Sequence, residues 1–230
     1  MADALPWHHV HLTQTDRTAV AAWYTKFIGA RIGPGAKRSE NLWFNSNLMQ
    51  IQSDTAIKPP STGEIAHIGI GVTDLDAAIG PILANGGTRT SNSLVVDPWG
   101  TPIQLVESDS LCFHHLMIVT SDPIKSSEWY ALNIGGEIVP CPWDHELIAI
   151  QYDTMWLVFK GGRVEPGARP IDHFGWYTPN IQKTASKLLA NGCQFPIPVR
   201  DFGQVQLAFV EDPSGLWVEL VEPAGGRIFK

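Results

Sequence analysis

Residues 7–34, WHHVHLTQTDRTAVAAWYTKFIGARIGP, lie over residues 113–140, FHHLMIVTSDPIKSSEWYALNIGGEIVP, without a gap. His8-His9 falls on His114-His115, Trp23-Tyr24 on Trp129-Tyr130, Gly29 on Gly135 and Pro34 on Pro140. The offset is 115 − 9 = 106 residues. It persists downstream: Ile65-Ala66-His67 matches Ile171-Asp172-His173, and Leu83-Ala84-Asn85-Gly86 matches Leu189-Ala190-Asn191-Gly192. Asp97-Pro98-Trp99-Gly100 then matches Asp212-Pro213-Ser214-Gly215 at an offset of 115, so the second half carries nine extra residues between Gly192 and Asp212. One fixed offset held over this length marks a tandem duplication.

Each half divides again. Short apolar or alternating runs predict strands at His9–Thr13, Ala30–Ile32, Asn41–Phe44 and Leu48–Ile51. Apolar spacing with Asp16 ahead of it predicts a helix from Thr18 to Phe27. The next quarter repeats the order, with a strand Ile65–Val72, a helix Leu75–Asn85 stopped by Gly86-Gly87, and strands at Leu94–Val96 and Pro102–Glu107. Strand, helix, strands thus recur four times. Pro/Gly-rich connectors, Lys58–Gly63 and Gly161–Gly167, separate the quarters within each half, and the halves meet near Glu107–Leu111. We expect an α+β protein of two domains, residues 1–109 and 110–230, each half forming its own curved cup.

Composition narrows the function. The chain has 230 residues, 44% hydrophobic and 17% charged, which is globular rather than disordered. A net charge of −7 with only 16 Lys+Arg argues against a nucleic-acid or anionic-membrane partner. No apolar run approaches the roughly 20 residues of a membrane span. The start lacks a basic segment followed by an apolar one, so a cytoplasmic location is expected. The three cysteines, Cys112, Cys141 and Cys193, are widely spaced and form no Cys-x-x-Cys, which fits reduced, inert thiols. Nine tryptophans are enough for both core and a pocket for an aromatic small molecule.

Histidine placement carries the chemistry. His9, His67, His115 and His173 each stand in the strand that opens a quarter. The last strands add Gln104 in Ile-Gln-Leu-Val-Glu and Glu219 in Val-Glu-Leu-Val-Glu. Strand side chains alternate, so Glu219 points opposite to Val218 and Leu220. A lone strand histidine is more often a hydrogen-bonded core residue. Recurrence at one offset instead favours convergence of His115, His173 and Glu219 on a metal. Two imidazoles and a carboxylate suit Fe(II) best, with Mn, Zn or Ni as alternatives. The opposite last strand, near Trp156-Leu157-Val158, offers only apolar side chains as a fourth ligand. His9, His67 and Gln104 form a weaker, vestigial set, Gln being a neutral ligand.

Other residues are weighed singly. His145 is a proton shuttle or a solvated turn residue. Arg200 and Lys160 suit an anionic substrate or are simply solvated. Tyr177 and Trp176, beyond His173 in its strand, line a pocket or pack in the core. Trp23-Tyr24 and Trp129-Tyr130 read as core. Alternation turns His8 and His114 away from their neighbours, so they read as structural.

Taken together, the four strand-opening histidines, the helix starts Asp-Arg-Thr-Ala-Val-Ala-Ala-Trp-Tyr and Thr-Asp-Leu-Asp-Ala-Ala, the Leu-Ala-Asn-Gly helix ends and Asp-Pro-x-Gly ahead of a last strand resemble the vicinal oxygen chelate superfamily. That group includes glyoxalase I, extradiol dioxygenases and bleomycin resistance proteins. The resemblance covers nearly the whole chain and implies paired βαβββ modules curled around a metal. Four modules with a metal set in the second half resemble the extradiol dioxygenases, which implies Fe(II)-dependent ring opening of a small aromatic diol or enediol. The family's Tyr ahead of Asp-Pro-x-Gly falls here on Phe209, its upstream His on the stretch Arg200-Asp201-Phe202-Gly203, and its acid–base His near Phe159-Lys160. A glyoxalase-like lyase or isomerase and a metal-free antibiotic-binding protein are the alternatives, and a homo-oligomer is compatible with each.

Overall fold

The computed structural model of the chain describes residues 4–33, 39–53, 63–164 and 169–224. Module 1 comprises β1 (Trp7–Thr13), α1 (Arg17–Trp23), β2 (Arg31–Gly33), β3 (Ser39–Phe44) and β4 (Asn47–Gln52). Module 2 comprises β5 (Gly63–Val72), α2 (Leu75–Ala84), β6 (Thr88–Arg89), β7 (Leu94–Val96) and β8 (Pro102–Glu107). Module 3 comprises β9 (Cys112–Thr120), α3 (Pro123–Asn133), β10 (Glu137–Cys141), β11 (Asp144–Gln151) and β12 (Trp156–Gly161). Module 4 comprises β13 (Ile171–Tyr177), α4 (Ile181–Ala190), β14 (Ile197–Asp201), β15 (Val205–Glu211) and β16 (Trp217–Pro223). Four βαβββ modules are therefore present. The Lys58–Gly63 connector, apart from Gly63, and residues 165–167 of the other connector lie outside the described residues.

The helices start alike for a local reason. Asp16, Asp74, Asp122 and Asn180 each accept a hydrogen bond from the backbone N–H three residues on, at 2.9–3.0 Å. Such a cap satisfies one of the orphan donors of a first helical turn and contributes about 1 kcal/mol. The expected helix to Phe27 is α-helical only to Trp23, after which Tyr24–Ile28 forms a π turn ending at Gly29.

The strands form two eight-stranded curved sheets. Sheet A runs β14-β15-β16-β13-β1-β4-β3-β2, and sheet B runs β10-β11-β12-β9-β5-β8-β7-β6. Sheet A joins module 1 to module 4 through the antiparallel pair β1–β13, and sheet B joins module 2 to module 3 through β5–β9. This corrects the expectation that residues 1–109 and 110–230 each close a cup of their own. Connector length is the physical reason. Only residues 108–111 separate β8 from β9, which keeps them in one sheet, whereas residues 53–62 and 162–170 carry the chain from one sheet to the other.

One core cluster holds the inner faces of both sheets together with the helices. Trp7 of sheet A stacks on Phe113 of sheet B at 5.7 Å. Two matched hydrogen bonds reinforce it: Tyr24 Oη donates to Asp97 (2.9 Å) and Tyr130 Oη to Asp212 (3.1 Å), both between a helical segment and an Asp-Pro-x-Gly turn. Tyr24 and Tyr130 are fully buried and Trp23 is buried, as expected, while Trp129 is half-buried against the core.

Candidate metal centre

Three central strands of sheet A bring together His9 and His11 of β1, His173 of β13 and Glu219 of β16. One ligand atom from each lies within 4.8 Å of all the others, and all four residues are buried. Register explains the convergence. His11 faces His173 across the β1–β13 ladder, and Gly175 pairs with both His9 and Glu219. A Cβ at Gly175 would lie 2.8 Å from His9 Cε1 and 3.0 Å from Glu219 Cβ, so the missing side chain is what admits the His9 ring.

Two imidazole nitrogens share one carboxylate oxygen: His9 Nε2 and His173 Nε2 are each 3.0 Å from Glu219 Oε2. His173 Nε2 makes a hydrogen bond there, whereas His9 Nε2 is fully buried with none of usable geometry. Two ring nitrogens that converge on one buried carboxylate oxygen suit a cation. Outer contacts fix each ring. His173 Nδ1 meets Asp172 at 2.5 Å, and His9 Nδ1 meets His8 Nδ1 at 2.7 Å. His11 Nε2 meets Gln50 Oε1 at 2.5 Å, and the Gln50 amide donates to Asn41 Oδ1 at 3.1 Å. Such outer partners orient metal-binding histidines.

The electrostatics agree with the geometry. Burial alone would raise the Glu219 carboxyl, but His9 and His173 outweigh it and hold it well below the usual carboxylate range. Burial would lower His173, yet its bonds to Asp172 and Glu219 carry it above the ordinary histidine value. Burial keeps His9 and His11 low, so both are neutral donors at pH 7.

The first comparison with solved structures is glyoxalase I from Zea mays, at 18% identity and a TM-score of 0.72, covering 96% of this chain and 92% of that one. A second is a Bacillus subtilis protein described as a candidate dioxygenase, at 11% identity and a TM-score of 0.74, covering 98% and 87%. The chain shares the fold of these two structures. No protein-family model and no curated protein matches it.

Within that fold each sheet is one cup, and the expected ligand sets exchange a histidine. His173 and Glu219 stay together, but His115 lies in sheet B with His67 and Gln104, and His9 takes its place. His67 Nε2 and Gln104 Oε1 are each 3.1 Å from His115 Nε2. The set His9, His67 and Gln104 is split the same way, and no half of the chain holds a whole vestigial site. The position opposite Glu219 is filled from β4 by Gln50 rather than from β12. Sequence reading passed over His11 and Gln50. Their signals were His11 two residues beyond His9 on the same strand face, and the 106-residue match of Gln50 to Trp156.

The remaining residues sort plainly. His145 is exposed on β11 of sheet B, away from the sheet A cluster, and Arg200 is exposed on β14 of sheet A. Tyr177 is buried on β13, two residues beyond Gly175 on the His173 face, while Trp176 is core. His8 and His114 were expected to face away, but register irregularities at both places break the alternation and set each ring against the next histidine. Cys112, Cys141 and Cys193 are free, and among the described residues no helix is long and apolar enough to cross a membrane.

Proposed function

We propose that the sheet A cup is the active site of a metal-dependent enzyme acting on a small molecule with two neighbouring oxygens, with His9, His173 and Glu219 as metal ligands. The observation that carries this is the approach of both Nε2 atoms to one buried carboxylate oxygen at 3.0 Å. Two histidines and one carboxylate leave coordination positions open, the arrangement suited to Fe(II) and O₂, so extradiol-type oxidation of an aromatic diol or enediol is the first reading. Bound there, the metal would supply Lewis acidity for the two substrate oxygens and, as iron, redox chemistry.

The chain's own residues do the rest. Asp172 fixes the His173 ring through Nδ1, leaving Nε2 to bind. Glu219 is held ionised. Phe209 packs on His173 at 4.9 Å and walls the site on the β15 side. His11, pinned by Gln50 through Nε2, supplies a proton-handling group from β1. Gln50 favours a second reading, a lyase or isomerase, since it gives the site a Gln/Glu pair.

The test is elemental analysis of anaerobically purified protein, followed by oxygen uptake with catechols. About one Fe per chain with substrate-dependent uptake supports the first reading. Zn or Ni, with anaerobic turnover of an enediol, moves the assignment to the second. No metal after reconstitution overturns both.

A further inference from the structure

The two cups descend from one pattern, so their differences can be read position by position. His9 matches His115 and His173 matches His67, and all four are retained. The other concave positions are exchanged in one direction. His11 becomes Met117 (117 − 11 = 106), Gln50 becomes Trp156 (156 − 50 = 106), and Glu219 becomes Gln104 (219 − 104 = 115). The sheet B cup has therefore lost its carboxylate and gained apolar surface.

The structure shows where that surface lies. Met117, Cys141, Ala149 and Val158 form a buried apolar cluster separate from the main core, with Trp156 packed against it. Trp156, which is only partly buried, therefore marks where this apolar surface reaches the open side of the cup. Trp143, 38% exposed, stands edge-on to Trp156 at 5.9 Å and covers His114 and His115 at 4.8 and 5.2 Å. Lys160 is exposed on β12, two residues beyond Val158 and therefore on its face. Among the described residues His115 Nε2 meets both His67 Nε2 and Gln104 Oε1, and no carboxylate bonds to either ring. The Gln104 carbonyl is occupied by His115, which leaves its amide N–H groups to donate.

We propose that the sheet B cup is a second ligand site, which binds a small aromatic anion without a metal. The ring lies against Trp143 and Trp156, with the apolar cluster packed behind them; the anionic oxygen meets Lys160 and the Gln104 amide. An apolar wall with a few converging polar donors is the usual make-up of a small-molecule site, and the tryptophan faces give a flat ring its largest contact.

Titration calorimetry of the full chain with 1-naphthoate in EDTA tests this. One saturable site per chain is expected. Lys160→Met and Trp143→Ala, both at exposed positions that the fold tolerates, should each weaken it about tenfold or more, while Glu219→Gln leaves it unchanged. The uncharged analogue 1-naphthalenemethanol should bind at least tenfold more weakly. No saturable binding in EDTA, binding removed by Glu219→Gln, or binding restored only by a divalent metal would each overturn the assignment.

Discussion

His9 and His115 occupy matched positions in the repeat, yet only one of them faces Glu219. The two variants therefore separate. His9→Ala should lose stoichiometric metal, and His115→Ala should keep it; metal content by elemental analysis decides, and the opposite result would place the centre elsewhere. Asp172→Asn should leave the fold intact and weaken metal binding by about 10- to 100-fold, the usual cost of an outer-shell partner, as read by competition with a chelator. His67 gives a pH dependence. Burial lowers it from 6.5 to about 4, opposed by Gln104 and assisted by Lys160. The folded chain then resists a proton that the unfolded chain accepts, so stability is full above pH 6.5 and falls as pH drops toward 4, by up to about 1.4 kcal/mol per unit. Denaturant midpoints in EDTA should show that slope, shallower in His67→Gln.

The elements were largely legible because their signals are local. Asp16, Asp74, Asp122 and Asn180 cap the helices from within one turn, and alternation put Glu219 on the face opposite Val218. What local pattern misled was the pairing of strands around bulges: His8 and His114 sit at irregularities that no alternation rule foresees. The Tyr–Asp bonds belong to this scale too, since each joins a helical segment in one sheet's module to a turn in the other's. Tyr130→Phe removes one of several bonds to buried Asp212 and should cost about 1–2 kcal/mol in urea denaturation at pH 7. A null effect would mean the turn holds without the staple.

At the scale of the molecule the repeat alone is ambiguous. Modules of equal pattern pair as readily 1 with 2 as 1 with 4, and nothing in a single strand distinguishes the two. Connector length does, and it is written in the sequence: four residues between β8 and β9 against ten between β4 and β5. The site residues followed the pairing, which is why His173 and Glu219 were found together and His9 was not. The halves should therefore depend on each other. A fragment of residues 110–230 holds His173 and Glu219 but lacks His9, and metal should bind only after residues 1–109 are mixed in. A monomeric fragment that binds one metal ion would refute the crossed arrangement.

The β1–β13 ladder also orders events in time. Sheet B is built from residues 63–161, a continuous stretch, and can close while the rest of the chain is still unpaired. Sheet A must hold its first strand, Trp7–Thr13, until Ile171–Tyr177 arrives and Trp217–Pro223 completes the edge that carries Glu219. Closing so long a loop is slow relative to local pairing. During synthesis, the cup that keeps its carboxylate is thus the later of the two to be completed, and the proposed ion finds its full ligand set only once both ends of the chain have met.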